Sequence, residues 1–349
     1  MRRGSQRRVI RSALIHLVLI LGSIVFLVPF AWLVVTSLKE DEDMSQFPPV
    51  WVPRQQATVQ LRGRTLRLVR ITRDDQRVTC AVLHETETGD QALEAISPAR
   101  FRGQRYRVPL SATTKVKRFA PVWSNYPDAL KFLPPETNRG LVFVWNTLIL
   151  SGLSIIGTVI SSSMVAYAFA RLRWPGREAA FVILLATMML PGAVTMMPVF
   201  LIFRWLGWID TLRPLWAPAF LGSAFNIFLL RQFFLTIPND LEDAAKIDGC
   251  SYWTIYHRIM IPLIKPALAA ITIMTFMGAW NNFMGPLIYI SSPMKMPLAY
   301  ALQLFQTAHG GEPGLLMAAS AMVMLPVLVL FFLTQRYFIQ GVTLTGIKG

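Results

Sequence analysis

The chain has 349 residues, of which 54% are hydrophobic and only 15% are charged. Soluble globular domains carry about 25% charged residues, so this composition excludes an ordinary soluble protein and indicates an integral membrane protein. A net charge of +15 would suggest nucleic-acid binding in a soluble chain, but in a membrane protein it first indicates lipid headgroups and topology signals. Two cysteines are too few for a disulfide framework, and the four histidines lack metal-ligand spacing.

The N-terminus is basic and leads into the first predicted transmembrane helix. Residues 1–11 hold five arginines, and the apolar run 13–35 is long enough to span a bilayer. The run is longer than the core of a signal peptide and lacks a small-residue cleavage site. We therefore expect residues 1–40 to form a cytoplasmic tail followed by an uncleaved helix 1.

The next segment, 41–140, is polar and contains a β-rich stretch at about 54–122. Alternating apolar and polar residues predict strands at 59–61, 65–71 and 77–84, with a hairpin turn at Arg62-Gly63-Arg64 and a further strand starting at Tyr106. These features predict a small β-barrel-like domain.

Five further apolar runs, at 141–170, 179–203, 215–235, 267–290 and 315–338, predict helices that bring the number of spans to six. With the N-terminus inside, the inner segments hold fourteen Lys and Arg residues and the two short outer loops hold three. The positive-inside rule then places both termini, including the tail 339–349, in the cytoplasm. The predicted fold class is an all-α polytopic membrane protein with a small extracytoplasmic β-rich domain between helices 1 and 2.

The first outer segment, 39–140, holds 17 basic and 12 acidic residues. Loops longer than about 60 residues translocate largely regardless of charge, so this count leaves the topology unchanged. A basic sheet with aromatic residues is also typical of nucleic-acid surfaces, but a segment outside the cytoplasm would meet no nucleic acid. A solvated face of an accessory domain is favoured, and docking to a soluble partner or to anionic headgroups stays open.

A polar island at 236–266 separates the fourth and fifth spans. Pro238 is typical of a helix start and Gly249 of a helix stop. Ser251 predicts the N-cap of a second short helix, which Pro262 is expected to end. The charge count places this loop on the cytoplasmic side, where ATP is available.

Four asparagines lie within the predicted spans: Asn146, Asn226, Asn281 and Asn282. Each is a candidate for lining a solute path or for bonding to a neighbouring helix. The spans hold no Asp or Glu, which counts against a proton- or sodium-coupled carrier. The sequence also lacks Walker A, nucleophile-elbow and zinc-protease motifs, so we expect no catalytic residue, cofactor or metal, and ATP hydrolysis on a partner chain.

The polar island resembles the EAA loop of ABC-importer permeases. The family pattern Glu-Ala-Ala, three residues, Gly, nine residues, Ile-x-Leu-Pro is matched by Asp243-Ala244-Ala245, Gly249 and 259–262, with Asp in place of Glu and Ile261 in place of Leu. The resemblance implies a coupling helix that docks into a cleft of a cytoplasmic ATPase. The residues implied in this contact are Glu242, Asp243, Ala244, Ala245, Asp248, Gly249, Tyr252, Tyr256 and Pro262.

Other motifs, in the same order along the chain, resemble the MalG-type permeases of carbohydrate ABC importers, which have the MetI-like fold. They include Phe47-Pro-Pro-Val-Trp, Trp123-Ser-Asn-Tyr, Ala166-Tyr-Ala-Phe-Ala-Arg and Trp280-Asn-Asn-Phe. The stretch of about 54–122 is absent from typical members. The resemblance implies a bacterial inner-membrane location and a sugar as the transported solute, with Asn226, Asn281 and Asn282 as the candidate substrate path.

The same resemblance implies three kinds of protein partner: a second, MalF-like permease, an ATPase homodimer on the cytoplasmic side, and an extracytoplasmic solute-binding protein. It also implies that the outer loop 291–314 reaches towards the binding protein and that Gly346–Gly349 approaches the ATPase interface. Three other functions stay open from the sequence. They are an importer of the same fold for a polyol phosphate or an oligosaccharide fragment, a stand-alone channel or secondary carrier, and a signalling protein with an outer sensor domain.

Overall fold

A computed structural model describes residues 2–44, 46–73, 75–85, 90–307 and 313–343, and the side chains of 10–306 and 313–333 within these ranges. The described residues form two compact units. One unit lies within Met1–Ala129 and Ala308–Ala321, and the other within Leu130–Thr307 and Met322–Gly349. The predicted C-terminal contact at Gly346–Gly349 lies outside the described residues.

The first unit begins with a long helix, α1 (Arg2–Thr36), and a short acidic helix, α2 (Asp41–Met44). The apolar side chains of α1 are exposed from Ile10 to Val28, as expected of a helix that faces lipid. The strands that follow are β1 (Arg54–Gln56), β2 (Thr58–Leu61), β3 (Arg64–Arg73), β4 (Gln76–Glu85), β5 (Asp90–Ser97), β6 (Arg105–Pro109), β7 (Thr114–Lys115) and β8 (Lys117–Phe119).

The strands form an antiparallel sheet in the order β2-β3-β4-β5-β6, with β7 paired to β3 and a separate β1–β8 pair. Leu61 pairs with Arg64, and both residues of the intervening turn have positive φ, 52° at Arg62 and 77° at Gly63. Such a two-residue turn matches the twist of the two strands that it joins. Strands β2, β3, β4 and β6 and this turn lie where the alternating pattern predicts them, whereas β1, β5, β7 and β8 were not predicted. Residues 54–122 are termed the β-rich segment.

An acidic run, residues 40–43, connects three parts of the first unit. The Glu40 carboxylate accepts a hydrogen bond from the backbone N–H of Gln56 (3.3 Å), and Asp41 accepts one from that of Gly314 (3.1 Å). Glu42 pairs with Lys115. The Asp43 carboxylate has no exposed side-chain area and lies 2.5 Å from the Lys117 ammonium and 3.6 Å from the Arg54 guanidinium. The run thus fixes the β-rich segment to the end of α1 and to residue 314.

The second unit is helical. Helix α3 (Asn125–Phe132) lies at the boundary of the two units in the sequence, and α16 (Pro313–Thr343) extends from the first unit into the second. The other helices are α4 (Leu141–Arg171), α5 (Arg177–Thr187), α6 (Gly192–Trp205), α7 (Arg213–Trp216), α8 (Ala224–Thr236), α9 (Asn239–Ile247), α10 (Tyr252–Ile255), α11 (Ile261–Leu263), α12 (Lys265–Trp280), α13 (Met284–Tyr289), α14 (Leu298–Ala301) and α15 (Leu304–Thr307).

Four stretches of the described chain are helical, long and apolar enough to cross a membrane: Ile10–Thr36, Leu141–Arg171, Arg213–Thr236 and Pro313–Leu333. Two bent pairs would raise the number to six. One pair, α5 with α6, bends by 99°, and the other, Tyr252–Leu263 with α12, bends by 79°.

Two of the predicted spans, 179–203 and 267–290, are not continuous helices. The span predicted at 179–203 breaks between Thr187 and Gly192, because the ring of Pro191 is incompatible with a continuing helix. The span predicted at 267–290 ends its helix at Trp280, and a separate short helix, α13, follows. Residue periodicity identifies an apolar stretch but does not show where the chain turns within it.

Helix α4 lies at the centre of the second unit. Its small residues allow close approach: a Cβ added to Gly157 would lie 2.6 Å from the ring of Phe220. The Ser161 hydroxyl donates to the carbonyl of Ala219 (2.9 Å). Small and hydroxyl side chains are the usual means of tight helix packing in membranes, where apolar burial gives no driving force between helices.

Candidate functional site

The polar island forms a helix–turn–helix loop. Helix α9 begins at Asn239, directly after Pro238, and the chain reverses at Gly249, whose φ of 78° is in the left-handed region. The Ser251 hydroxyl accepts a hydrogen bond from the backbone N–H of Thr254 (3.2 Å) and caps α10. The start, the stop and the cap are all at the residues that the sequence predicts.

The end of the second helix is not where the sequence predicts it. Pro262 does not end it, because the chain continues through a wide π-turn at Tyr256–Met260 into α11. A π-turn bonds to the fifth residue rather than the fourth, which relieves the contact between the proline ring and the preceding turn. Pro262 then lies in the first turn of α11, where a backbone N–H is not needed. The sharp bend comes at Ile264.

One face of the loop packs onto its own chain. Glu242 is 3% exposed and Ala245 is 6% exposed. The Glu242 carboxylate accepts a hydrogen bond from the Tyr167 hydroxyl (3.4 Å) and lies 3.9 Å from the Arg171 guanidinium. Tyr256 is 8% exposed, and its hydroxyl is 2.7 Å from that of Ser163. Glu242 and Tyr256, which the resemblance to the EAA loop implied in an ATPase contact, therefore anchor the loop to α4 in this structure.

Arg171, at the end of α4, joins this face to the neighbouring helix. Its guanidinium donates to the carbonyls of Phe234 and Ile237, at the end of α8, and to the Asn239 side chain, at the start of α9. Three helices thus meet at one buried cation. Arg171 is not among the functional residues predicted from the sequence, because its partners lie more than 60 positions away in the chain.

The opposite face of the loop is open. Asp243, Ala244 and Asp248 are exposed, as is Gly249. Large apolar side chains surround them: Ile247 is 88% exposed, Trp253 60%, Tyr252 56% and Leu241 46%. Exposed apolar groups on a polar loop are typical of a surface that a partner covers. Of the nine predicted contact residues, Asp243, Ala244, Asp248, Gly249, Tyr252 and Pro262 are exposed, and Glu242, Ala245 and Tyr256 are buried.

The predicted path residues lie at two places. Asn281 and Asn282 occupy the break between α12 and α13, where the Asn281 amide donates to the carbonyl of Met277 (2.9 Å) and the Asn282 amide oxygen accepts from the backbone N–H of Gly285 (3.0 Å). Asn226, in α8, is half-buried. Asn146 is different, because its amide donates to the carbonyls of Met294 and Met296 and fixes that loop.

An open cavity of about 520 Å³ lies between α6 and α13. It is lined by Gly192 and Met196 from α6 and by Met284, Gly285 and Tyr289 from α13. Helix breaks inside membrane proteins are tolerated where they line a cavity. The cavity is therefore a candidate part of a solute path, and the side chain of Asn282 lies beside Gly285, one of the residues that line it.

Asp210, between α6 and α7, is a further candidate that sequence reasoning missed. One carboxylate oxygen accepts from the backbone N–H groups of Ser291 (3.0 Å) and Ser292 (2.9 Å). The other accepts from the Ser292 hydroxyl (2.6 Å) and the Lys295 ammonium (3.0 Å). Burial alone would raise the pKa of Asp210, but these donors hold its pKa well below the ordinary value of 3.8. In the sequence, Asp210 is only an acidic residue in a short loop, and this does not predict its partners.

No group of three or more His, Cys, Asp or Glu side chains within the described residues is arranged to hold a metal ion. Cys80 and Cys250 are both free thiols.

Known proteins resemble this chain in sequence and in fold. An arabinooligosaccharides transport system permease protein, AraQ, from Halalkalibacterium halodurans is 36% identical over 215 residues, which cover 61% of this chain and 77% of AraQ. A trehalose/maltose transport system permease protein, MalG, from Thermococcus litoralis is 31% identical over 228 residues, covering 65% of this chain and 82% of MalG.

The solved structure of a bacterial ABC transporter involved in the import of the acidic polysaccharide alginate contains a chain with a TM-score of 0.64. The two chains are 20% identical, and the match covers 94% of this chain and 96% of that one, which shows a shared fold. Residues 157–344, more than half of the chain, match the family described as binding-protein-dependent transport system inner membrane component. This protein is a multi-pass membrane protein that belongs to that family.

Proposed function

We propose that this chain is the non-catalytic permease subunit of an ATP-driven importer for a carbohydrate. In this proposal it forms half of the translocation path, and a separate ATPase supplies the energy. The carbohydrate assignment is supported by the relatives, whose names specify arabinooligosaccharides and trehalose or maltose. The observation that carries the coupling is the two-sided loop, with one face buried against α4 and α8 and the other exposed.

The exposed face of the loop has the chemistry of a docking helix. Ala244 is small enough to let a partner approach the helix backbone closely, and Ile247, Tyr252 and Trp253 offer apolar area to a cleft. Asp243 and Asp248 are placed to accept charge-assisted hydrogen bonds from arginines of the partner. We assign these residues, with Leu241, to the ATPase contact.

The buried face of the loop is suited to transmitting movement. The Glu242–Arg171 pair and the Tyr256–Ser163 hydrogen bond connect the docking helix to α4. A rigid connection lets closure of an ATPase dimer turn the transmembrane helices as a body, which is a recognised form of switching between two states. Glu242, Ala245 and Tyr256 then act within the chain and do not touch the ATPase.

The topology and the other partners are part of the proposal. The pair α5 with α6 provides one further span and α12 provides another, giving six, and both termini face the cytoplasm of a bacterial cell. The β-rich segment then lies on the extracytoplasmic side. A second, MalF-like permease completes the path, and a solute-binding protein delivers the sugar. The solute passes the cavity between α6 and α13, with Asn226, Asn281 and Asn282 as candidate polar contacts.

Purification from the native membrane in mild detergent tests the assembly. We expect a second permease of the same family and an ATPase to be recovered in a stable complex with this chain. A preparation in which this chain alone moves solute across proteoliposomes, with no response to ATP depletion, would instead identify a channel or a secondary carrier.

Two tryptophan variants test the docking face in the reconstituted complex. Ala244→Trp places a bulky ring on the exposed face of α9, so we expect loss of ATP-driven uptake and of ATPase recovery. Ala179→Trp, at another exposed alanine, in α5, is the matched control and should retain both. Undiminished uptake in the Ala244→Trp complex would remove this face from the mechanism.

A further inference from the structure

The inner face of the sheet in the β-rich segment changes character along its strands. At one end Ile71, Val78, Cys80 and Phe101 form a closed apolar core. At the other end the same face opens into a cavity of about 310 Å³ that has both polar and apolar walls. This volume is at the lower end of the range for sites that hold small molecules.

The cavity wall contains a buried amide that is not fully bonded. Gln91 is 4% exposed, and its amide nitrogen donates to the Glu85 carboxylate (3.1 Å). Its amide oxygen has no hydrogen-bond partner within the described part of the chain. Buried polar atoms in native proteins are nearly always satisfied, so the unpaired oxygen in this cavity wall is available to accept a hydrogen bond from a molecule bound there.

The charged side chains in the cavity wall are neutralised by ion pairs. The Arg67 guanidinium lies 2.8 Å from the same Glu85 carboxylate, and the Lys115 ammonium at the cavity wall is paired with Glu42. A molecule bound in this cavity would therefore meet hydrogen-bond donors and acceptors but little net charge. Hydroxyl groups, which both donate and accept, match such a mixed set, whereas an anion or a cation would gain no countercharge.

The remaining wall is apolar. Val69 and Val82 line it from β3 and β4, and Leu110, 55% exposed, also lines it. A ligand with hydroxyl groups around a ring that also presents apolar C–H groups satisfies the polar and the apolar walls together. We propose that this cavity binds one unit of a neutral sugar, at a site separate from the transmembrane helices.

This inference rests on the proposed function only for the sugars chosen as probes. Equilibrium binding to the isolated full-length chain needs no ATPase and no second permease. A failure of binding is therefore distinguishable from a failure of transport, which is measured in the reconstituted complex.

The test uses saturation-transfer NMR on the full chain in lipid nanodiscs. The neutral probes are arabinotriose and maltotriose, and trigalacturonate is the acidic counterpart. We expect both neutral probes to receive saturation and trigalacturonate to receive less. Leu110→Trp covers the cavity without removing a hydrogen-bonding group, and we expect it to weaken neutral binding by roughly tenfold or more, corresponding to about 1.4 kcal/mol.

Phe119→Trp is the matched control, because Phe119 is 69% exposed in the same segment but is not part of the cavity wall. Gln91→Leu should weaken binding in the same way as Leu110→Trp. Slow labelling of the buried Cys80 thiol verifies that each variant keeps its fold. If Cys80 becomes exposed in Gln91→Leu, the binding measured with Leu110→Trp alone tests the proposal. Three outcomes would overturn the inference: no neutral binding to the wild type, equal binding to wild type and Leu110→Trp, or preference for trigalacturonate.

Discussion

Glu242 and Arg171 form a buried ion pair, with Oε2 and Nη1 3.9 Å apart and both side chains 4% exposed. Each charge has further partners: Tyr167 donates to the carboxylate, and the guanidinium donates to the carbonyls of Phe234 and Ile237. Two charges inside a protein are tolerated when their geometry and additional hydrogen bonds compensate for lost hydration. The pair therefore connects α9 to the ends of α4 and α8.

Neutralising one member of this pair should release the loop. Glu242→Gln leaves the Arg171 charge buried without a counterion, and breaking a buried pair in this way typically costs about 3–5 kcal/mol. We expect faster proteolysis within 239–263 and loss of ATP-driven uptake, with membrane insertion retained. Asp243→Asn is the control, because the Asp243 side chain is 64% exposed, and it should not change proteolysis. Equal protease resistance in both variants would show that the pair does not hold the loop.

The turn at Gly249 gives a second prediction. A Cβ at this position would meet no atom within 4 Å, so the cost of a substitution comes only from its φ of 78°. An alanine in the left-handed region costs about 1–2 kcal/mol. We expect Gly249→Ala to speed hydrogen exchange of the α9 amides, and Gly249→Asn to do so less, because asparagine tolerates this region.

The control for this turn is Gly278→Ala, in α12. A Cβ there also meets no atom within 4 Å, and the position is helical, where alanine is favoured over glycine. It should leave exchange in α9 unchanged. If Gly249→Ala and Gly278→Ala behave alike, the left-handed turn does not determine the stability of the loop.

Much of the loop follows from its sequence, because its signals are local. A proline at a helix start, a glycine at a stop and a serine cap act through neighbouring backbone groups, so Pro238, Gly249 and Ser251 could be assigned directly. Which side of α9 is buried depends on α4 and α8, which lie far away in sequence. The burial of Glu242 and Tyr256 was therefore not predictable.

The same distinction applies to the rest of the fold. Strands β2, β3, β4 and β6 were predictable because alternation is a local pattern, and the spans were predictable as apolar stretches. The break before Gly192 and the bend at Ile264 were not located by that pattern. The contact between Asp41 and Gly314 joins residues 273 positions apart and had no local signal.

The acidic run gives a third prediction, in which two neighbouring acids differ. Asp43 has no exposed side-chain area, so Asp43→Asn leaves Lys117 and Arg54 facing a neutral group. We expect Cys80, in the core of the β-rich segment, to become reactive to a thiol reagent at a lower temperature. Burial raises the pKa of this thiol to about 11, so labelling of the folded segment is slow.

Glu42→Gln is the matched variant, and its effect should depend on pH. The hydrogen bond from Lys115, opposed by burial, lowers the pKa of Glu42 below its ordinary value of 4.5. Its contribution is present above about pH 4.5 and is lost as the pH falls through the lowered value. Glu42 is 56% exposed, so this contribution is below about 1 kcal/mol. Wild type and Glu42→Gln should differ slightly at pH 7 and converge in acid, and a difference that grows in acid would contradict this assignment.

The fourth prediction concerns Asp210 and the loop that it holds. Its carboxylate accepts four hydrogen bonds from Ser291, Ser292 and Lys295, and a hydrogen bond to a charged group contributes about 1.5–3 kcal/mol. Asp210→Asn removes the charge and replaces one acceptor oxygen by an NH₂ group. We expect faster hydrogen exchange at the Ser291 and Ser292 amides and, in the reconstituted complex, weaker stimulation by the solute-binding protein.

The pH dependence separates this role from a general loss of stability. Because the folded-state pKa of Asp210 lies below its ordinary value of 3.8, its contribution is complete above that value and is lost only as the pH falls through the lowered one. After correction for intrinsic exchange rates, protection of both serine amides should therefore be the same at pH 7 and at pH 5 in the wild type. Asp248→Asn, at an exposed acid on the loop after α9, is the control and should leave this protection intact. Protection that already falls between pH 7 and pH 5 would mean that the Asp210 carboxylate is not the group that holds the loop.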